Sequence, residues 1–296
     1  MANAEFEDRL DTTDGWIHQR TGIRARRVGG STVDLATAAL SGALAAAGVE
    51  GGDLGAVVLA TSTPERSLPA AAATVGHRLG LRCGGFDINA ACAGFVYAFV
   101  TGCGLVAAGA EHVAVVGADT LSRLADPDDR ATAFLFGDGA AALILSRSTG
   151  AGGVLGWDSG TDPGAIDLLH SEHGAFLQMD GREVFRRAVR AVVSSCRRAL
   201  ATAGLSPADV DLFVPHQANL RIIEAAAERL GIAMSRVEVI IEETANTSAA
   251  SVPLALASAT GRGAIPEGGV VLLCGFGAGL TWASAVVRWD TGAPRA

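Results

Sequence analysis

The 296-residue chain contains no lysine; all 23 basic residues are arginine. That absence excludes Schiff-base chemistry, pyridoxal-phosphate enzymes and the P-loop lysine. Every positive side chain is instead a planar guanidinium that stays protonated. Aromatics are scarce, at 5% with a single tyrosine, and charged residues make up only 18%. The core must therefore be built from small and aliphatic residues, and 57 Ala and 38 Gly are there to build it. The net charge of −8 argues against a nucleic-acid binder. The five cysteines are an odd number with no C-x-x-C pair. That excludes a disulfide framework or zinc site and points to a reduced, cytoplasmic setting. The opening MANAEFEDRLDTTDGW is acidic and unlike a signal peptide. No apolar run of about 18 residues suggests a membrane span.

What is present alternates. Ala-rich stretches with helical character lie over 31–47, 94–108, 184–203, 220–230 and 248–260. Short β-branched runs lie between them, at 56–61, 86–88, 113–117, 141–145, 212–214 and 270–273. Continuous apolar strands alternating with helices predict an α/β fold with sheets covered on both faces. One repeat is visible. ALAAAGVEGGDLGAVV (43–58) and ALATAGLSPADVDLFV (199–214) are identical at 7 of 16 positions at a constant offset of 156 residues. Ala-rich helices can resemble one another by chance. The other reading is a duplicated α/β half, with domains at 1–150 and 151–296.

Three short segments carry chemistry. In DINAACAGF, Cys92 stands where an apolar helix begins, flanked by small residues that leave room for a substrate. A thiol at a helix N-terminus gains thiolate character, although small buried cysteines are common. The other four cysteines lack that setting. In VPHQANLRI, His216 follows a strand end, where α/β sheets place their sites. The other histidines (His18, His77, His112, His170, His173) have no such context and read as surface or core residues. In ETANTSAASVP, Asn246 precedes a helix start that Ser248 is expected to cap. A fourth segment, CGFGAGLTW from Cys274, reads as a strand ending in a small-residue loop.

Together with DTTDGWIHQRTGIRARR and DRATAFLFGDGA, these segments resemble β-ketoacyl-acyl-carrier-protein synthase III, the initiating condensing enzyme of the thiolase superfamily. The motifs occur in the family's order over nearly the whole chain. The elongating ketosynthases use a catalytic lysine, which this chain lacks. The resemblance implies the thiolase fold: two duplicated αβαβα halves in a five-layered body, as a homodimer in the cytoplasm. It implies an acyltransferase that condenses an acyl-CoA starter with malonyl-acyl carrier protein in fatty-acid biosynthesis, with no cofactor and no metal. Cys92 would be the nucleophile, and His216 and Asn246 would bind the malonyl thioester and its enolate. The backbone amides of Cys92 and Ala278 would form the oxyanion hole.

Softer positions follow from the same resemblance. Trp16, Arg20 and Arg130 would clasp the CoA adenine. Phe136, Leu177 and Met179 would wall the acyl pocket, with Leu68 closing the partner's pocket across the dimer. Arg186, Arg221 and Arg229 would dock the acidic carrier; a solvated helix face is the plainer reading. Two departures stand out. The family has an apolar strand about 20 residues before DTTDGW, expected in the middle of the first sheet, and here only MANAEFEDRL precedes that segment. Ala245 stands where the family has glycine. Two other roles are compatible: a starter ketosynthase or acyltransferase of a polyketide pathway, and a non-catalytic partner protein.

Overall fold

The computed structural model describes residues 1–148, 150 and 152–290. Its helices are α1 (Asp14–Thr21), α2 (Thr32–Ala47), α3 (Ala71–Arg78), α4 (Gly94–Ala107), α5 (Gly181–Thr202), α6 (Leu220–Leu230), α7 (Ile241–Thr244) and α8 (Ser251–Gly261). Its strands are β1 (Leu54–Ala60), β2 (Gly84–Ile88), β3 (His112–Thr120), β4 (Asp138–Ser146), β5 (Gly153–Thr161), β6 (Leu169–His170), β7 (Gln178–Met179), β8 (Leu212–Pro215), β9 (Val270–Gly277) and β10 (Thr281–Arg288). Ala151 and the tail expected over Thr291–Ala296 lie outside the described residues. No helix among the described residues is long and apolar enough to cross a membrane.

Local chemistry sets the element ends. Asn219 caps α6 by accepting the Arg221 N–H at 2.9 Å, and Gly231 closes it at φ 77°. Ser31 caps α2 through the Asp34 N–H at 3.0 Å. The Asp87 carboxylate takes the Ala71 and Ala72 N–H groups at the start of α3, at 2.6 and 2.8 Å. β9 runs on to Gly277, so Cys274 sits inside a strand and not at its end.

The first sheet has the order β2-β1-β3-β4, with β1 parallel to β2 and β3 and with β4 antiparallel to β3. The second has the order β8-β9-β10-β5, with β8 parallel to β9 and with β10 antiparallel to its neighbours. Thus β1, β3 and β4 match β8, β9 and β10 in order and sense. A parallel bridge between Phe213 and Val237 stands outside β8 as β2 stands outside β1. β5 covers the outer edge of β10; among the described residues no strand takes that place beside β4. This corrects the expected gap in the middle of the first sheet. β1 and β3 pair directly from Ala56–Val113 to Ala60–Gly117. The open position among the described residues is the β4 edge, whose residues are mostly half-buried.

The layers follow from strand alternation. Val58 faces inward to a central pair of helices, α4 and α8, where Phe95, Val96, Val252 and Leu256 meet Val115, Val214 and Leu273. Val57 and Leu59 face outward to Leu40 of α2 and Val75 of α3. On the other side, Val189 and Leu200 of α5 and Ile223 of α6 cover Leu272 and Val286. The sequence of layers is helix, sheet, helix, sheet, helix. Both faces of each sheet are buried, which is why the strands read as continuous apolar runs.

The N-terminal segment is fastened by a fully buried arginine. Arg26 donates to Asn3 Oδ1 at 2.7 Å and to the Phe134 carbonyl at 2.9 Å, and lies 4.8 Å over the Phe6 ring. Burial pulls its pKa down to about 10, which still leaves it charged at neutral pH.

Candidate active site

α4 and α8 begin side by side between the sheets, and a cavity of about 1240 Å³ opens there. Cys92, His216, Asn246 and Ala278 all line it. Segments far apart in sequence are thus brought to one space by the matching ends of the two halves.

Cys92 lies in the tight turn Ala91–Ala93 ahead of α4, with Ala91 at φ 46°. The end of β9 presses on that turn. A Cβ on Gly277 would stand 2.6 Å from the Cys92 nitrogen, and one on Gly275 would stand 2.7 Å from the Ala93 Cα. Only glycine admits this approach, and it carries Ala278 to the cavity wall beside the nucleophile. The expected thiolate character is not found. Burial pushes the Cys92 thiol up to about 12, and the negative charge of Asp119 adds to the rise. The Ser248 hydroxyl opposes it by hydrogen bonding. At neutral pH the sulfur carries its proton, so acyl transfer must move that proton as the sulfur attacks.

His216 follows β8, and its N–H donates to the Cys274 carbonyl at 2.7 Å. Its Nδ1 lies 2.9 Å from the Ser251 Oγ. The same oxygen accepts the Gln217 N–H at 2.6 Å. With the serine proton turned to Nδ1, the ring hydrogen would sit on Nε2. Burial lowers the His216 pKa to about 3, so the ring is neutral at physiological pH. His216 is a neutral hydrogen-bond donor.

Asn246 is clamped by its backbone, donating to the Leu135 carbonyl at 3.0 Å and accepting from Gly137 N–H at 2.9 Å. Its Oδ1 accepts the Ser248 N–H at 2.9 Å, which leaves the amide hydrogens for the cavity. Ser248 is not the helix cap expected from sequence. It sits at φ 50° in the turn Ser248–Ala250, and α8 starts after Ala250 without a side-chain cap. Ala245 has φ 55° and ψ −160°, a region that favours glycine. Such strain costs about 1–3 kcal/mol, offset in part by the flexibility glycine adds to the unfolded chain. Ala245→Gly is expected to stabilise the fold by about 1 kcal/mol, read as a higher unfolding temperature in calorimetry. A lower temperature would mean that the lost methyl packing outweighs the relief.

Toward the mouth, Trp16 is held between two guanidiniums, Arg20 at 4.5 Å and Arg130 at 4.8 Å from the ring. Arg130 also bonds the Asp11 carbonyl. Phe136, Leu177 and Met179 line the cavity as expected. Leu68 does not; it is 85% exposed on the loop between β1 and α3. The arginines divide. Arg221 lines the same cavity, Arg186 pairs with Glu183 at 2.7 Å, and Arg229 borders a separate shallow cavity with Arg190 and Arg197.

Two family models match the chain, 3-oxoacyl-[acyl-carrier-protein] synthase III over residues 86–163 and its C-terminal counterpart over 200–289. The β-ketoacyl-[acyl-carrier-protein] synthase III of Rhodobacter capsulatus is 46% identical over 306 residues, covering 98% of this chain and 94% of its own. The chain belongs to the 3-oxoacyl-[acyl-carrier-protein] synthase III family. The synthase III crystal structure from Aquifex aeolicus superposes with a TM-score of 0.95 at 39% identity, covering 98% of this chain and 95% of the other. The priming β-ketosynthase of a polyketide biosynthetic pathway superposes with a TM-score of 0.93 at the same 39%, covering 98% and 92%. The fold is thus the thiolase fold, and the protein is a condensing enzyme of the acyltransferase type.

Residues that the sequence did not single out also stand at this synthase III's cavity. Ser251 Oγ lies against His216 Nδ1, and Arg66, Arg123 and Arg182 line the cavity wall. His170 and His173 line the cavity as well, which corrects their reading as plain surface or core residues. They lie around the small β6–β7 hairpin, which no periodicity announces. Ser248 could have been found only from its positive φ, which sequence does not display.

Proposed function

We propose that this enzyme joins an acyl-CoA starter to malonyl-acyl carrier protein by decarboxylative Claisen condensation, and so initiates fatty-acid synthesis. The observation that carries this reading is one cavity lined by a half-buried thiol and two neutral donors. The Cys92 sulfur attacks the acyl-CoA thioester, and CoA leaves with the proton. The Cys92 and Ala278 amides receive the oxyanion of that step. The malonyl thioester then places its carbonyl on His216 Nε2–H and the Asn246 amide. Loss of CO₂ leaves the electron pair on the α-carbon, with the enolate oxygen on those donors. That carbon attacks acyl-Cys92, and the cysteine sulfur departs and takes up a proton from the solvent. Nucleophile and donors are all protein groups, so the chemistry calls for no cofactor.

We read residues 1–150 and 151–296 as the two duplicated halves. Trp16, Arg20 and Arg130 form the CoA clasp, and Phe136, Leu177 and Met179 the acyl wall. The edge strand β2, with Phe86 exposed, and the exposed Leu68 favour a homodimer in which Leu68 closes the partner's pocket. Five free cysteines favour a reducing, cytoplasmic location. Incubation with malonyl-carrier and a panel of acyl-CoAs tests the reading. A β-ketoacyl-carrier product is expected, with longer or branched starters accepted because Leu68 is smaller than the aromatic residue that the family resemblance implies at this position. A strict acetyl preference would remove that role from Leu68. The likeness to the polyketide priming ketosynthase, as high in identity as that to the Aquifex enzyme, favours polyketide starter chemistry as the second reading. Condensation confined to starters other than acetyl would support its ketosynthase form, and transfer without condensation its acyltransferase form.

For the carrier we propose docking on Arg186, Arg221 and Arg229. Arg221 shares the cavity with the CoA site, so Arg186 and Arg229 are the discriminating positions. Arg186→Glu with Arg229→Glu is expected to raise the KM for malonyl-carrier about tenfold and leave that for acyl-CoA unchanged. Equal changes in both constants would count against docking there.

A further inference from the structure

Gln217 follows His216 in the chain, has no exposed surface, and takes part in no step above. Its side-chain amide is fully engaged. Nε2 donates to the Pro215 carbonyl at 2.8 Å and to the Glu238 carbonyl at 3.1 Å. Oε1 accepts the Ile240 N–H at 2.9 Å and the Ile241 N–H at 3.2 Å. Carbonyls only accept and backbone N–H groups only donate, so these four partners fix which end of the amide is oxygen. Both amide hydrogens and both oxygen lone pairs are used. The main chain adds a fifth bond, from the Gln217 N–H to Ser251 Oγ at 2.6 Å.

Those partners have an order along the chain. Ile240 offers α7 no side-chain cap, and Gln217 Oε1 fills that place from another segment. Ser251 opens α8. Asn246 lies midway between Ile241 and Ser251. Gln217 thus grips both ends of the segment that carries Asn246, the front end with its side chain and the back end with its main chain. Nε2 also holds Pro215, the last residue of β8 and the one before His216. Among the described residues no hydrogen bond joins the His216 and Asn246 side chains to each other. Their spacing is set by the two segments that carry them, and Gln217 bridges those segments.

We propose that Gln217 is a positioning residue that fixes the spacing of the His216 and Asn246 donors around one enolate oxygen. The inference rests on the reading of those two residues as the enolate donors. Gln217 itself does not line the cavity, so it acts only through the segments it joins. Two donors stabilise a developing oxyanion best when they are already in place and need not move as the charge forms. A buried amide with every bond made supplies that rigidity.

The test separates positioning of the donors from general support of the fold. Gln217→Met keeps the length of the side chain and removes its four amide bonds, while the main-chain bond to Ser251 is retained. Decarboxylation of malonyl-carrier, read as labelled CO₂, is expected to slow by about 10- to 100-fold, as small displacements of positioned groups do. Acylation of Cys92 by acyl-CoA, timed by intact mass, is expected to stay within about twofold, because the Cys92 and Ala278 amides serve that step. The second arm places Gln217→Met in a chain that already carries His216→Ala and Asn246→Ala. With no donors left to space, it is expected to change the residual decarboxylation rate by less than about twofold. If Gln217→Met does not fold, Gln217→Glu takes its place. It keeps the acceptor for Ile240 and Ile241 and sets an oxygen against the two carbonyls, and the same pattern of rates is expected. Decarboxylation at the wild-type rate, an equal loss in both reactions, or an equal loss with and without the two donors would overturn the proposal. Wild-type decarboxylation by the chain carrying only His216→Ala and Asn246→Ala would instead overturn the reading of the donors themselves.

Discussion

Replacing His216 by alanine is expected to slow decarboxylation of malonyl-carrier by about 100- to 1000-fold, which is the usual loss when one preorganised donor to a developing oxyanion is removed. The reason is the fixed tautomer. With the Ser251 hydroxyl donating to Nδ1, the buried ring would present Nε2–H to the cavity. A pKa near 3 keeps it neutral above about pH 4, so the step should show no acidic limb from His216 between pH 5 and 8. Asn246→Ala is expected to lose a similar factor, and the double variant little more, because the two donors serve one oxygen. Acylation of Cys92 should survive in both single variants. Release of labelled CO₂ separates the steps. An unchanged rate in His216→Ala would remove the histidine from the enolate site.

Cys92→Ala is expected to abolish condensation altogether while malonyl-carrier is still decarboxylated. The thiol is the one group in the cavity that can form a thioester, and the His216 and Asn246 donors do not depend on it. Loss of covalent catalysis should reduce condensation by at least about 1000-fold. The substitution removes one small half-buried atom from a turn fixed by β9, so the unfolding temperature should hold. Loss of both reactions together would indicate that the turn had collapsed.

Much of this site was legible in the sequence. Cys92 and His216 stood out by their places at a helix start and a strand end, Asn246 only through the family resemblance, and the 156-residue repeat has its counterpart in two sheets of matching order. The parts that were not legible depend on backbone conformation and burial. Positive φ at Ala91, Ala245 and Ser248 shapes both turns, yet none of the three is glycine. Helix-start chemistry suggested a thiolate at Cys92. Burial and the charge of Asp119 outweigh it, and Asp119 lies 27 residues away at the end of another strand. The place of the strand the family has before DTTDGW could not be judged without sheet order: β1 pairs directly with β3, and β5 on β10 marks the corresponding position as the edge beside β4. Ser251 matters only because a folded chain sets its oxygen between Gln217 N–H and His216 Nδ1.

The lack of lysine now has a physical counterpart. Cavity chemistry is left to a protonated thiol and neutral donors, while Arg20, Arg66, Arg123, Arg182 and Arg221 supply the fixed positive charge around them. Guanidiniums suit phosphates, which they meet in pairs of hydrogen bonds.

The most direct test of the account is the intact mass of the protein after incubation with acyl-CoA. One acyl group per chain, on a peptide containing Cys92 and discharged by malonyl-carrier, is the predicted result. An adduct that persists in Cys92→Ala, or no adduct in the wild-type protein, would contradict it.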